Sequence, residues 1–177
     1  MTRIVAACDR YRGHKARVKA FVLVMRYAGL RIGDTVTLGR DRLTGNKLFL
    51  YTAKTGTPVY IPLPPMVVDA LNAVDHRNGW YFWTGNGKPV TAVAHWQRAL
   101  QSLFELAHVN GAHSHRFRDS FAVSLLEKGV SIETVSMLLG HSDIRITLRH
   151  YRPWVKSLQD HLEAEVQKAW VAEAAAN

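Results

Sequence analysis

Residues 35–63 are the one extended stretch of β-type composition in a chain otherwise patterned mainly for helices, which narrows the fold class sharply. From Thr35 to Leu63 the residues turn to Val, Thr, Leu, Phe, Tyr and Ile, with turn signals at Thr44-Gly45-Asn46 and Lys54-Thr55-Gly56-Thr57. Two turns between three short apolar runs predict two hairpins and a three-stranded antiparallel sheet. Upstream, Val18, Phe21, Val22, Met25 and Ala28 recur at helical spacing between Lys15 and Ala28, and Gly29 ends that helix. Leu30 to Asp34 reads as a short connection. Pro62, Pro64 and Pro65 close the sheet and open a helix through about Ala73.

Downstream, residues 76–89 are loop-like, with Trp80-Tyr81-Phe82-Trp83 expected to form a short buried strand. Helices are predicted over 92–107 and from Ser114 or His115 to Lys128, the latter ended by Gly129. A third spans Ile132 to Leu139, N-capped by Ser131 and stopped by Gly140. Trp154, Leu158, Leu162, Val166 and Trp170 repeat every four residues, so an amphipathic tail helix is expected over about 154–170, fraying after about Ala172. The fold class is therefore α+β, mainly α-helical with a small three-stranded antiparallel sheet, in one domain.

Charge placement narrows the partner. The net charge is +9, and its whole excess sits in residues 1–60, which carry twelve Lys/Arg against three Asp. A localised basic surface suits a polyanion, with nucleic acid the first candidate. The single cysteine, Cys8, excludes an internal disulfide and a thiolate metal cluster. No run of about 18 apolar residues exists to span a membrane, and the polar start is unlike a secretory signal. No His-Glu-x-x-His or paired-carboxylate spacing appears, so neither a metal nor another cofactor is expected.

Several residues have bland readings when taken singly. His115 and Arg118, three apart at a helix start, share a face and suit the surface of many proteins. His141 after Gly140 reads as a cap, Tyr151 as a packing residue and Lys54 as an exposed turn lysine. Their order changes the reading. The chain carries Ala28-Gly29-Leu30-Arg31-Ile32-Gly33-Asp34, then Lys54 before Val59-Tyr60-Ile61-Pro62-Leu63. It continues with His115-Arg116-Phe117-Arg118-Asp119-Ser120-Phe121-Ala122, Leu138-Leu139-Gly140-His141-Ser142 and Tyr151. In this order the chain resembles the tyrosine recombinases, the phage integrase family of site-specific DNA recombinases. Two departures stand out: Asp119 where many members carry a second histidine, and ten residues from His141 to Tyr151 where nine is also common.

The resemblance implies the DNA breaking-rejoining fold and a strand transferase independent of metal and ATP. Tyr151 would be the nucleophile, forming a covalent 3′-phosphotyrosine intermediate on double-stranded DNA. Arg31 and Arg118 would clamp the phosphate, since a guanidinium presents a planar fork and stays charged. His115 and His141 would donate to the same oxygens, and Lys54, on a mobile hairpin, would protonate the leaving 5′-oxygen. His115 is the first choice to take the tyrosine proton. Arg145, Arg149, Lys15, Arg17 and Lys19 would be further phosphate contacts.

The expected catalytic domain covers 1–172, with the N-terminal core-binding domain absent, and acts on DNA in a prokaryotic cytoplasm. The tail helix would dock on its own domain or self-associate across a synaptic tetramer, and both stay open. So do two other readings: a non-catalytic DNA-binding module with 131–151 as a helix-turn-helix, and a type IB-like topoisomerase.

Overall fold

The computed structural model describes residues 1–75 and 78–176, without the side chains at 152, 155–158, 160, 161, 165, 172 and 174–176. Among the described residues, eight α-helices and three strands follow in chain order: α1 Thr2–Cys8, α2 Lys15–Ala28, α3 Ile32–Val36, β1 Leu43–Thr44, β2 Lys47–Tyr51, β3 Pro58–Pro62, α4 Pro65–Asn72, α5 Pro89–Leu106, α6 His115–Leu126, α7 Ile132–Leu138 and α8 Ile144–Ala176. The sheet is antiparallel in the order β1-β2-β3, as expected. Leu48 and Leu50 pair with Ile61 and Val59, and this face enters the core. The alternation of one buried and one exposed residue along both strands is what a half-covered sheet demands.

The centre of the molecule is α2. Every residue from Ala20 to Met25 is buried, so this helix is covered on all sides. It packs on α1, α4 and α6. Phe21 stacks on Trp96 of α5 at 3.8 Å and meets the edge of Phe82 at 5.0 Å. A second, smaller cluster of Phe121, Ala122, Leu126, Val135, Leu139 and Tyr151 joins α6, α7 and α8. Helix α6 links the two, because Phe117 belongs to the large core and Phe121 to the small one.

Several expected elements take other forms. The Trp80–Trp83 run is not a strand; Trp80 makes one isolated bridge to Gly39, and Tyr81 N donates to Leu38 O. Its aromatics are held by other means, with Arg40 over the Tyr81 ring at 4.4 Å and Phe82 against Phe21. The Leu30–Asp34 connection contains the start of α3, a single turn ending at Val36. Helix α8 begins at Ile144, runs through Pro153 and continues to Ala176, so Tyr151 stands inside the same helix as the tail. Trp154, Leu162, Val166 and Trp170 are exposed along it, while the Leu158 side chain lies outside the described residues.

Candidate active site

Glycines set the geometry at two helix ends. Gly29, the C-cap of α2, adopts φ +62°, and a Cβ there would meet the Phe121 ring at 2.3 Å. Gly140, just past α7, also has φ +62°, and a Cβ there would lie 2.8 Å from Thr52 Cγ2. Only glycine meets both demands at such positions, a left-handed backbone and no side chain. As a result α2 and α7 end close together, with backbone carbonyls turned into one cleft.

Arg118 occupies that cleft. It is 2% exposed, and its Nη1 donates to Gly29 O at 2.7 Å while Nη2 donates to Leu139 O at 2.5 Å. The guanidinium thus caps the negative ends of two helices at once. Nη2 also lies 3.1 Å from His141 Nε2. Because a guanidinium has donors only, Nε2 must be the acceptor, which leaves the proton on Nδ1. Nδ1 then donates to Thr147 Oγ1 at 2.7 Å, and Thr147 is fully buried in α8.

Two further charges lie alongside. Arg31 caps α3, and Asp34 accepts from Ala53 N at 2.8 Å. Arg31 Nη1 and Asp34 Oδ2 are buried with no hydrogen-bond partner among the described residues. An unpaired buried donor on a cation ordinarily carries a penalty of about 1–3 kcal/mol or more. Burial and the charge of Arg31 lower the Arg118 pKa to about 10. Burial, then Arg118 and Arg31, push His141 down to about 4, so it is neutral near pH 7. An entering anion would supply the acceptor that Arg31 Nη1 lacks among the described residues.

Lys54 is exposed at the tip of the β2–β3 turn. That turn is tied on both sides, by Asp34 to Ala53 N and by Thr55 Oγ1 to Gly140 O at 3.2 Å. It is anchored to the same cleft rather than swinging free. His115 stands at the rim, exposed, with Nε2 3.6 Å from Asp119 Oδ1. Burial outweighs the pull of Asp119 and holds His115 below its ordinary pKa. Tyr151 is 3% exposed, its ring in the small core and its hydroxyl donating to Asp119 Oδ1 at 3.1 Å. Burial and Asp119 raise the Tyr151 pKa well above the usual phenol value.

Five residues singled out in the sequence, Arg31, His115, Arg118, His141 and Tyr151, thus come together around one cleft, and Lys54 stands exposed on the turn tied to it. The outlying cations are engaged elsewhere or exposed: Arg145 pairs with Asp143 at 2.7 Å, Lys19 with Asp9 at 3.4 Å, and Arg17 donates to Tyr81 O. Lys15 and Arg149 are exposed. Sequence reasoning passed over Asp34, Thr147 and Asp119 as site components. Asp34 had a signal, three residues after Arg31, whereas Thr147 and Asp119 have partners that only the fold identifies. Among the described residues no group of three or more His, Cys, Asp or Glu is placed to hold a metal ion, and no helix is long and apolar enough to cross a membrane.

Comparison with known proteins shows what the chain is similar to. A tyrosine recombinase of Thermosipho africanus is 30% identical over 138 residues, covering 76% of this chain and 49% of that protein. The catalytic domain of bacteriophage HP1 integrase superposes with a TM-score of 0.69 at 22% identity, covering 94% of this chain and 89% of that one. The XerH site-specific recombinase bound to its difH substrate does so at 0.68 and 16%, covering 83% and 47%. These likenesses show the fold of tyrosine recombinase catalytic domains. The chain spans about half the length of the curated relatives it matches. The model of the phage integrase family matches residues 1–156, and the chain belongs to that family.

Proposed function

We propose that this chain is the catalytic portion of a site-specific DNA recombinase that cuts and rejoins strands through a 3′-phosphotyrosyl intermediate. One observation supports it most: Arg31 and Arg118 converge on a cleft beside His141 and Tyr151, and a buried Arg31 nitrogen is left without an acceptor. A scissile phosphate would supply that acceptor. As Tyr151 attacks, the non-bridging oxygens gain negative charge, and the two guanidinium groups stabilise it. Lys54, on its anchored turn, would give a proton to the leaving 5′-oxygen. His141 keeps the Arg118 fork aligned and turns to the phosphate when it arrives. A helix-turn-helix reading of 131–151 assigns no task to buried Arg118 or to Arg31.

Double-stranded DNA is the proposed partner, on the basic face of the first third. The exposed stripe of Trp154, Leu162, Val166 and Trp170 is the proposed surface for self-association on DNA. The proposed setting is the cytoplasm of a prokaryote. The test is trapping on nicked duplexes with randomised arms flanking the nick, followed by sequencing of the bound DNA. A covalent adduct enriched for one sequence, and lost in Tyr151→Phe, is the expected result. Adduct formation that survives Tyr151→Phe, or none with folded wild-type protein, overturns the reading.

A further inference from the structure

The Tyr151 hydroxyl donates neither to a histidine nor to an arginine; it donates to Asp119 Oδ1 at 3.1 Å. His115, one helical turn before Asp119 on α6, places Nε2 3.6 Å from the same oxygen. The carboxylate therefore stands between the phenol and the imidazole. Asp119, Tyr151 and His150 line an open cavity of about 400 Å³ together with Arg116 and Trp154. From these contacts we propose that Asp119 takes the proton from Tyr151 during attack and passes it to His115. This rests on Tyr151 being the nucleophile.

The step balances. The Tyr151 O–H bond breaks as the Oη–P bond forms, and the proton moves to Asp119 Oδ1. The P–O5′ bond breaks, its electron pair leaves with the 5′-oxygen, and that oxygen takes a proton from Lys54. Asp119 then returns to carboxylate by giving its proton to His115 Nε2. Nothing is oxidised or reduced.

The ordering of acidities fits a late transfer. A carboxyl with an ordinary pKa of about 3.9 is a weak base toward a phenol of about 10. As the bond to phosphorus forms, however, the tyrosine oxygen loses its basicity and its proton becomes strongly acidic. A carboxylate in contact suffices at that stage. His115 is a suitable final acceptor because it is neutral near pH 7, being held below its ordinary pKa. The groups that act on this trio are Arg118 on α6, His113 just before it and His150 on α8, all cationic when charged.

Asp119→Asn tests the relay, since an amide can still accept the tyrosine hydrogen bond but cannot take its proton. On the nicked substrate recovered by the trapping experiment, cleavage by Asp119→Asn should fall about a hundredfold with DNA affinity unchanged. Its residual rate should climb with pH where the wild type is flat. Asp119→His, which restores a base, should recover cleavage with an acid limb moved up toward about 6.5. A substrate with sulfur in place of the bridging 5′-oxygen needs no acid, so it should rescue Lys54→Ala but leave the Asp119→Asn defect in place. Circular dichroism confirms that each variant is folded, and if Asp119→Asn is not, the Asp119→His pH profile decides.

Cleavage by Asp119→Asn at or above the wild-type rate would show that the carboxylate only restrains the tyrosine, and the relay would fall. An unshifted Asp119→His profile, or rescue of Asp119→Asn by the sulfur substrate, would also overturn it. Wild-type adduct on Tyr151 alongside any of these leaves the recombinase reading standing, whereas absence of a Tyr151 adduct removes that reading first.

Discussion

His141 shows how a residue with an ordinary appearance becomes specialised by its two neighbours. Arg118 can only donate, so Nε2 accepts and Nδ1–H is fixed toward Thr147. Burial, and then the cost of setting two cations 3.1 Å apart, drop its pKa to about 4 from an ordinary 6.5. In the unfolded chain the imidazole binds a proton below about pH 6.5, while in the folded protein it does not until about pH 4. Between those values the unfolded state holds more protons, so stability falls as the pH drops through that window. For a half-buried ring the loss amounts to about 1–2 kcal/mol after allowance for solvent screening. Denaturant midpoints across pH 4–7 should show this slope in the wild type and a shallower one in His141→Gln. His115, lowered in the same direction, supplies the slope that remains. Equal slopes in the two proteins would place the acid sensitivity elsewhere.

At the scale of elements, the β2–β3 hairpin is positioned by what lies under Gly140. Thr52 Cγ2 fills the space beside Gly140, Thr52 Oγ1 closes the turn through Thr55 and Thr57, and Thr55 bonds back to Gly140 O. Gly140→Ala therefore introduces two separate costs: a left-handed backbone for alanine, about 1–2 kcal/mol, and overlap with the Thr52 methyl, about 1 kcal/mol or more. Thr52→Ser removes that methyl and leaves the hydroxyl. In a double-mutant cycle followed by urea unfolding, Gly140→Ala should cost about 1 kcal/mol less in the Thr52→Ser background. Strict additivity would show that the hairpin yields without resistance. Gly140 as a helix stop was legible in the sequence, as were the alternating strands and the Ser131 cap, whose Oγ accepts from Thr134 N. Those features are local, written within a few residues. The Trp80–Trp83 run misled because four adjacent aromatics suit a buried strand and a packed loop equally well, and Phe21 and Trp96 decide between them. The tail helix, expected from about 154, instead begins at Ile144, because a helix packed against α6 and α7 continues through Pro153.

Across the whole molecule, the basic first third and the later helices contribute unlike parts to one cleft. The first third supplies Arg31, Asp34 and the turn bearing Lys54; α6, the segment after α7, and α8 supply Arg118, His141 and Tyr151. Sequence order alone singled out Arg31, Lys54, His115, Arg118, His141 and Tyr151 as candidates, because a linear motif preserves residue identity. It could not identify Asp119 as the partner of Tyr151, 32 residues away, since that contact depends on how α8 lies on α6. Closing the cleft brings two guanidinium groups together, and the depressed pKa of Arg118 records their repulsion along with burial. Folding is opposed by that repulsion, and a bound oxyanion reverses it. Any ligand that binds only the folded state stabilises it by RT ln(1 + [L]/Kd), about 1.4 kcal/mol at a tenfold excess over Kd. Inorganic phosphate or sulfate should therefore raise the thermal midpoint above that in chloride of equal ionic strength. Arg31→Ala should abolish the increment while responding to general salt as the wild type does, because it removes a buried nitrogen left without an acceptor among the described residues. If phosphate and chloride act alike on the wild type, or if Arg31→Ala keeps the full increment, the cleft does not recognise phosphate through Arg31.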